Sequence, residues 1–111
     1  MNNRKEAIRA YKERKIPRGI YVVRCTATGK TWVGSSPNLE AARNLVWMQL
    51  KMGLHRNVDL QGAWNDHGEA TFEFEIAETL DPDILEMAIR DELKSKRGEW
   101  AAKLDSPIIV T

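Results

Sequence analysis

Two short apolar runs, Gly19 to Cys25 and Lys30 to Gly34, flank Thr26-Ala27-Thr28-Gly29 and constrain the fold more than any other stretch. The first run is rich in β-branched and aromatic residues, and Gly29 can supply the positive φ of a tight turn. The pair therefore reads as a β-hairpin. Antiparallel pairing brings Gly19-Ile20-Tyr21 alongside Trp32-Val33-Gly34, with Tyr21 and Trp32 near each other on the sheet.

The flanking segments read as helices and one more strand. Asn2 or Asn3 caps a basic N-terminal helix within residues 1–16, with Ile8 and Tyr11 on its apolar stripe, and Pro17 ends it. Ser36-Pro37 has the form of an N-cap followed by proline at the first helical position. Leu39, Ala42, Leu45, Val46 and Met52 then recur at helical spacing up to Gly53. A short helix over 57–66 buries Leu60, Ala63 and Trp64, and His67-Gly68 turns into an alternating strand. There Phe72, Phe74 and Ile76 face one way while Thr71, Glu73 and Glu75 face the other. Asp81-Pro82 opens the last helix, lined by Leu85, Ile89, Leu93, Trp100 and Leu104, and Ile108-Ile109-Val110 reads as extended. The order α-β-β-α-α-β-α describes one α+β domain over residues 1–111.

With 111 residues, 42% of them hydrophobic, the chain can build a single small core. No apolar run approaches the ~20 residues a membrane span needs, and the charged N-terminus lacks a signal-peptide core, so a cytoplasmic location is expected. Cys25 is the sole cysteine, which excludes an intrachain disulfide or a thiolate zinc cluster, and its apolar setting reads as a buried, inert thiol. The net charge of +1 conceals an asymmetry. Residues 1–30 hold nine Lys/Arg against two Glu, whereas Glu69 to Glu92 hold nine acids against Arg90 alone. A basic arm suits phosphates, and an acidic stretch repels them.

The two tripeptides resemble the signature of the GIY-YIG nuclease superfamily. The resemblance covers roughly residues 18–100, as one GIY-YIG-like domain. It continues through Asn38-Leu39, Gly53-Leu54-His55, Leu60-Gln61, Trp64-Asn65-Asp66-His67-Gly68 and the strand Phe72 to Glu78, a succession similar to phage homing endonucleases of that family. It implies a small three-stranded antiparallel sheet flanked by helices. It also implies phosphodiester hydrolysis on DNA assisted by Mg²⁺ or Mn²⁺, because the transition state concentrates negative charge that cations and fixed donors must offset.

Carried onto this chain, the resemblance makes Tyr21 the residue that helps deprotonate the attacking water. Trp32 stands where relatives carry a second tyrosine, and an indole has no oxygen to accept a proton. The phosphate-holding arginine of relatives falls on Ala42, with Arg43 rotated about 100° around the helix. Val46 stands where relatives often carry His or Tyr. His55 is a further catalytic candidate, and Arg18, Ser35 and Arg43 are candidates for nucleic-acid contact. Glu86 is the expected metal ligand, with Glu92 the alternative. His67 reads as a helix-end residue, and Trp47, Trp64 and Trp100 as packing residues. Two functions follow: a metal-dependent endonuclease domain, or a catalytically inactive module that binds DNA or a protein partner supplying specificity.

Overall fold

The computed structural model describes residues 16–109; the expected N-terminal helix lies outside the described residues. Strand β1 (Gly19–Cys25) pairs antiparallel with β2 (Thr31–Ser36) on one side and β3 (Phe72–Thr79) on the other, giving the order β2-β1-β3. Gly29 adopts φ +76° in the turn, and its N–H donates to the Cys25 carbonyl at 2.7 Å. The register sets Tyr21 opposite Gly34 and Val23 opposite Trp32, so the two aromatic residues share a face diagonally.

Period-two alternation divides the sheet between two layers. Tyr21, Val23, Cys25, Trp32 and Phe72 form one buried cluster with residues of α1 (Leu39–Lys51) and α2 (Val58–His67). Ile20, Val22 and Val33 project to the opposite face, where Leu93 and Ala101 of α3 (Glu86–Leu104) cover them. The fold is thus α+β, with helices on both faces of a three-stranded antiparallel sheet.

Several expected boundaries and facings move. The cap of α1 is Asn38, whose side chain accepts from the Ala41 N–H, while Ser36 Oγ is occupied by the Asn38 backbone. The buried stripe of α1 is Leu39, Ala42, Val46, Trp47 and Leu50. Leu45 falls off that stripe and is exposed, as is Met52 beyond the last turn. Asp81-Pro82 does not start the last helix. Asp81 instead holds a turn by accepting from the Asp83 and Ile84 N–H groups, and α3 begins after Leu85, which is exposed. Against β3 the register shifts between Ile20 and Tyr21 of β1. The alternation breaks there, leaving Ile76 exposed and packing Ala77 against the α3 layer.

The tail closes the open edge of β2. Val33 donates to the Pro107 carbonyl and accepts from the Ile109 N–H at 2.7 Å, and Ile109 is fully buried. Satisfying an edge strand in this way removes a row of free backbone groups. Among the described residues no helix is long and apolar enough to cross a membrane.

Candidate functional site

Tyr21 is 2% exposed, and its ring stacks on Phe74 at 4.9 Å between centroids. On its other side it lies against Gly34, close enough that a Cβ there would come 2.5 Å from the phenolic oxygen. Burial pushes the Tyr21 hydroxyl up to about 12, against the opposing pull of the Arg97 charge. At neutral pH the group therefore keeps its proton. A protonated phenol is a hydrogen-bond donor.

Arg97, whose charge acts on Tyr21, lines a cleft of about 640 Å³ between the β2–α1 turn and α3. Ser35 and Pro37 form one wall; Glu86, Ile89, Arg90, Leu93, Lys94 and Arg97 form the other. Those α3 positions recur at three- and four-residue spacing, which places them on one helical face. Leu93 is buried at the base, whereas Glu86, Arg90 and Lys94 are exposed at the rim. Three cations face one carboxylate, so the cleft favours anions. Arg97 is half-buried: Nη1 makes a long 3.5 Å contact to Ser35 Oγ, and Nε is enclosed without an acceptor. An enclosed donor left unpaired costs about 1–3 kcal/mol.

The other expected site residues lie elsewhere. Trp32 is fully buried, packs on Phe72, and donates its indole N–H to Asp59 at 3.0 Å, so it is a core residue. Lys30 bridges Asp59 at 2.5 Å and holds its carboxyl below the usual range, with the Trp32 bond helping. Arg43 is exposed and lies over the Trp47 ring at 5.5 Å, in a separate groove with Lys51 and Glu69. Ala42 and Val46 belong to the same buried cluster as Tyr21, so apolar packing occupies the face from which relatives present polar groups.

His55 is buried beside α2 and does not line the cleft. Its Nδ1 accepts from the Asn57 N–H, its own N–H donates to Gln61 Oε1, and burial lowers its pKa. Arg18 lines another cavity with Glu40 and Thr79. Of the expected residues, the structure brings Ser35 and Glu86 to the cleft and sets Tyr21 within reach of the Arg97 charge. The α1 N-terminus is not a free anion seat, because Pro17 O and Asn38 Oδ1 take the Leu39 and Ala41 N–H groups.

Glu86 is the one carboxylate lining the cleft, beside three side-chain cations, and Glu92 lies off that face with its charge felt by Lys96. Among the described residues no group of three His, Cys, Asp or Glu is placed to hold a metal ion. A hard cation needs oxygen ligands and tolerates neighbouring positive charge poorly. Arg90, Lys94 and Arg97 were nevertheless legible as a pattern: cations at i, i+4 and i+7 fall on one helical face.

No family model matches the chain. It resembles the catalytic domain of the homing endonuclease I-TevI, at 28% identity and TM-score 0.70, over 85% of this chain and 99% of that one. A mutant form of the same catalytic domain gives 27% identity and TM-score 0.70, over 81% and 86%. Intron-associated endonuclease 1 of Enterobacteria phage T4 is 29% identical over 90 residues. That match takes in 81% of this chain but 34% of the phage protein, so the chain spans about a third of its length. The sheet order, the two tripeptides on adjacent strands and these similarities agree with the resemblance to the GIY-YIG nuclease superfamily.

Proposed function

We propose that this chain is a GIY-YIG-type DNA endonuclease domain that works on a phosphodiester seated in the cleft between the β2–α1 turn and α3. One observation carries the reading: Tyr21, the tyrosine of the first tripeptide, is set against Gly34 of the second and feels the charge of Arg97, which lines a cleft with a surplus of positive charge. The likeness to endonuclease catalytic domains supports hydrolysis, and the positive cleft supports DNA as the partner.

Hydrolysis adds a water oxygen to phosphorus and breaks a P–O ester bond. A proton must leave the water, and another must reach the leaving oxygen. Tyr21, protonated at neutral pH, is suited to donate to a phosphate or leaving oxygen. Glu86 lies eleven residues from Arg97 on α3, about 16 Å along the helix, so the water's proton passes to solvent at the cleft mouth. Mg²⁺ or Mn²⁺, expected from the resemblance, would find Glu86 as its carboxylate ligand in the cleft.

A second reading, DNA binding without cleavage, is favoured by the buried Trp32 and by the apolar Ala42 and Val46 packed in the cluster of Tyr21. A supercoiled-plasmid nicking assay in Mg²⁺, in Mn²⁺ and in EDTA separates the two. Nicking that falls in Tyr21→Phe supports the endonuclease. Intact plasmid that nonetheless binds the domain supports the binding module. Neither nicking nor binding removes both.

A further inference from the structure

Three side-chain cations of α3 line the cleft. Arg90, Lys94 and Arg97 project from one face of α3 into the cleft, spanning seven residues, or about 10 Å of helix. They converge on the wall formed by Ser35 and Pro37, with the half-buried Arg97 innermost and Arg90 and Lys94 exposed. Its Nε is enclosed without an acceptor, and its Nη1 has no contact there better than 3.5 Å to Ser35 Oγ. A planar guanidinium at the end of a positive cleft, its Nη1 held only by that long contact, matches a tetrahedral oxyanion, which can accept its N–H groups. The apolar floor of Leu93 and Ile89 strengthens such charged hydrogen bonds by excluding water.

We propose that Arg97, aided by Arg90 and Lys94, grips a phosphate group directly in this cleft. The inference deepens the nuclease reading and rests on it for the kind of phosphate, a phosphodiester of DNA. Arg97 provides the fork, Arg90 and Lys94 supply the rim charge that draws the backbone in, and Ser35 Oγ is a further donor to the same oxyanion. Glu86 at the opposite end repels the phosphate away from the rim and toward Arg97.

The test is a titration of the domain with inorganic phosphate in EDTA, followed by NMR at the arginine Nε–H and α3 amide resonances. The expected result is a saturable shift of the Arg97 Nε–H signal and of α3, unchanged by added Mg²⁺. Affinity should fall about tenfold or more in Arg97→Ala, and less in Arg97→Lys, which keeps charge but loses the fork. If Arg97→Ala disturbs the fold, the exposed Arg90→Ala serves instead. Its binding to duplex DNA should show a salt slope shallower by about one ion, as expected for the loss of one phosphate contact.

Absence of any shift at Arg97 overturns the proposal, as does phosphate binding that requires Mg²⁺ and is lost in Glu86→Gln but kept in Arg97→Ala. The plasmid assay stays independent. Phosphate bound at Arg97 with no DNA binding or nicking sustains the clamp and sinks the nuclease reading. Nicking that persists in Arg97→Ala does the reverse.

Discussion

The ring of Tyr21 occupies the space above Gly34 that any side chain would need, since a Cβ there would sit 2.5 Å from the phenolic oxygen and closer still to Cζ. The two residues are cross-strand partners in β1 and β2, so the glycine of the second tripeptide exists to seat the tyrosine of the first. Gly34→Ala should force the ring off Phe74 or the strands apart. Overpacking of this kind costs about 1–3 kcal/mol, so thermal melts should show a clear loss of stability. Plasmid nicking or binding should fall with it, because the Tyr21 hydroxyl loses its position.

The Tyr21 hydroxyl should titrate late. Its folded pKa is about 12, against an ordinary value of 10.0. A raised pKa means that the folded state holds the proton more tightly than the unfolded chain. The associated stability is therefore full below pH ~10 and is lost as pH rises toward 12, by about 2–3 kcal/mol. Phenolate absorbance of Tyr11→Phe, which leaves Tyr21 as the sole tyrosine, should rise near the upper value and coincide with unfolding. Titration near the ordinary value in a still-folded protein would contradict the buried placement.

Asp59 ties the second tripeptide to α2 by accepting the Trp32 indole N–H while bridging Lys30. Asp59→Ala leaves that N–H without a partner inside the core, which should cost about 1–3 kcal/mol in denaturant melts. Asp59→Asn keeps an acceptor and should lose less. The Lys30 ion pair is half-exposed on both sides, so Lys30→Ala should change little.

His55 should make the domain acid-sensitive. Burial depresses its folded pKa, and its Nδ1 is taken by the Asn57 N–H. The unfolded chain therefore binds the proton first. Its contribution to stability is complete above the ordinary value of about 6.5 and declines as pH falls below it. Melting temperatures compared at about pH 7 and about pH 5 should show a fall that is smaller in His55→Asn. The same loop leans on Gln61, which donates to Leu50 O and Asn65 Oδ1 and accepts from the His55 N–H. Gln61→Ala should be among the most destabilising changes in α2, by about 1–3 kcal/mol.

Arg43 and Arg97 offer a direct contrast for nucleic-acid contact. Arg43 lies over Trp47 in a groove apart from the cleft, whereas Arg97 stands at the cleft's inner end. In a duplex-binding assay at fixed salt, Arg97→Ala should weaken affinity several-fold more than Arg43→Ala. The opposite ranking would move the DNA path to the α1 groove.

Local periodicity was enough to derive the hairpin, its Gly29 turn, the third strand, the middle helices and the α+β class. Period two and period 3.6 are written in neighbouring residues and need no distant partner. The tripeptides likewise marked Tyr21 and the family from sequence alone. Facing and register were decided elsewhere. Trp32 turned inward because Asp59, 27 residues away, receives its indole, and the tail satisfies both backbone groups of Val33. The start of α3 moved past Asp81-Pro82 because a side-chain turn there competes with the helix. The cationic cleft straddles the end of the acidic stretch, with Arg90 inside it and Lys94 and Arg97 just beyond. Only when α3 packs beside β2 do Arg90, Lys94 and Arg97 meet Ser35, and Arg97 and Ser35 lie 62 residues apart. Net charge along a chain averages over all sides of a helix, whereas a ligand meets one face, and which face it meets is chosen by packing.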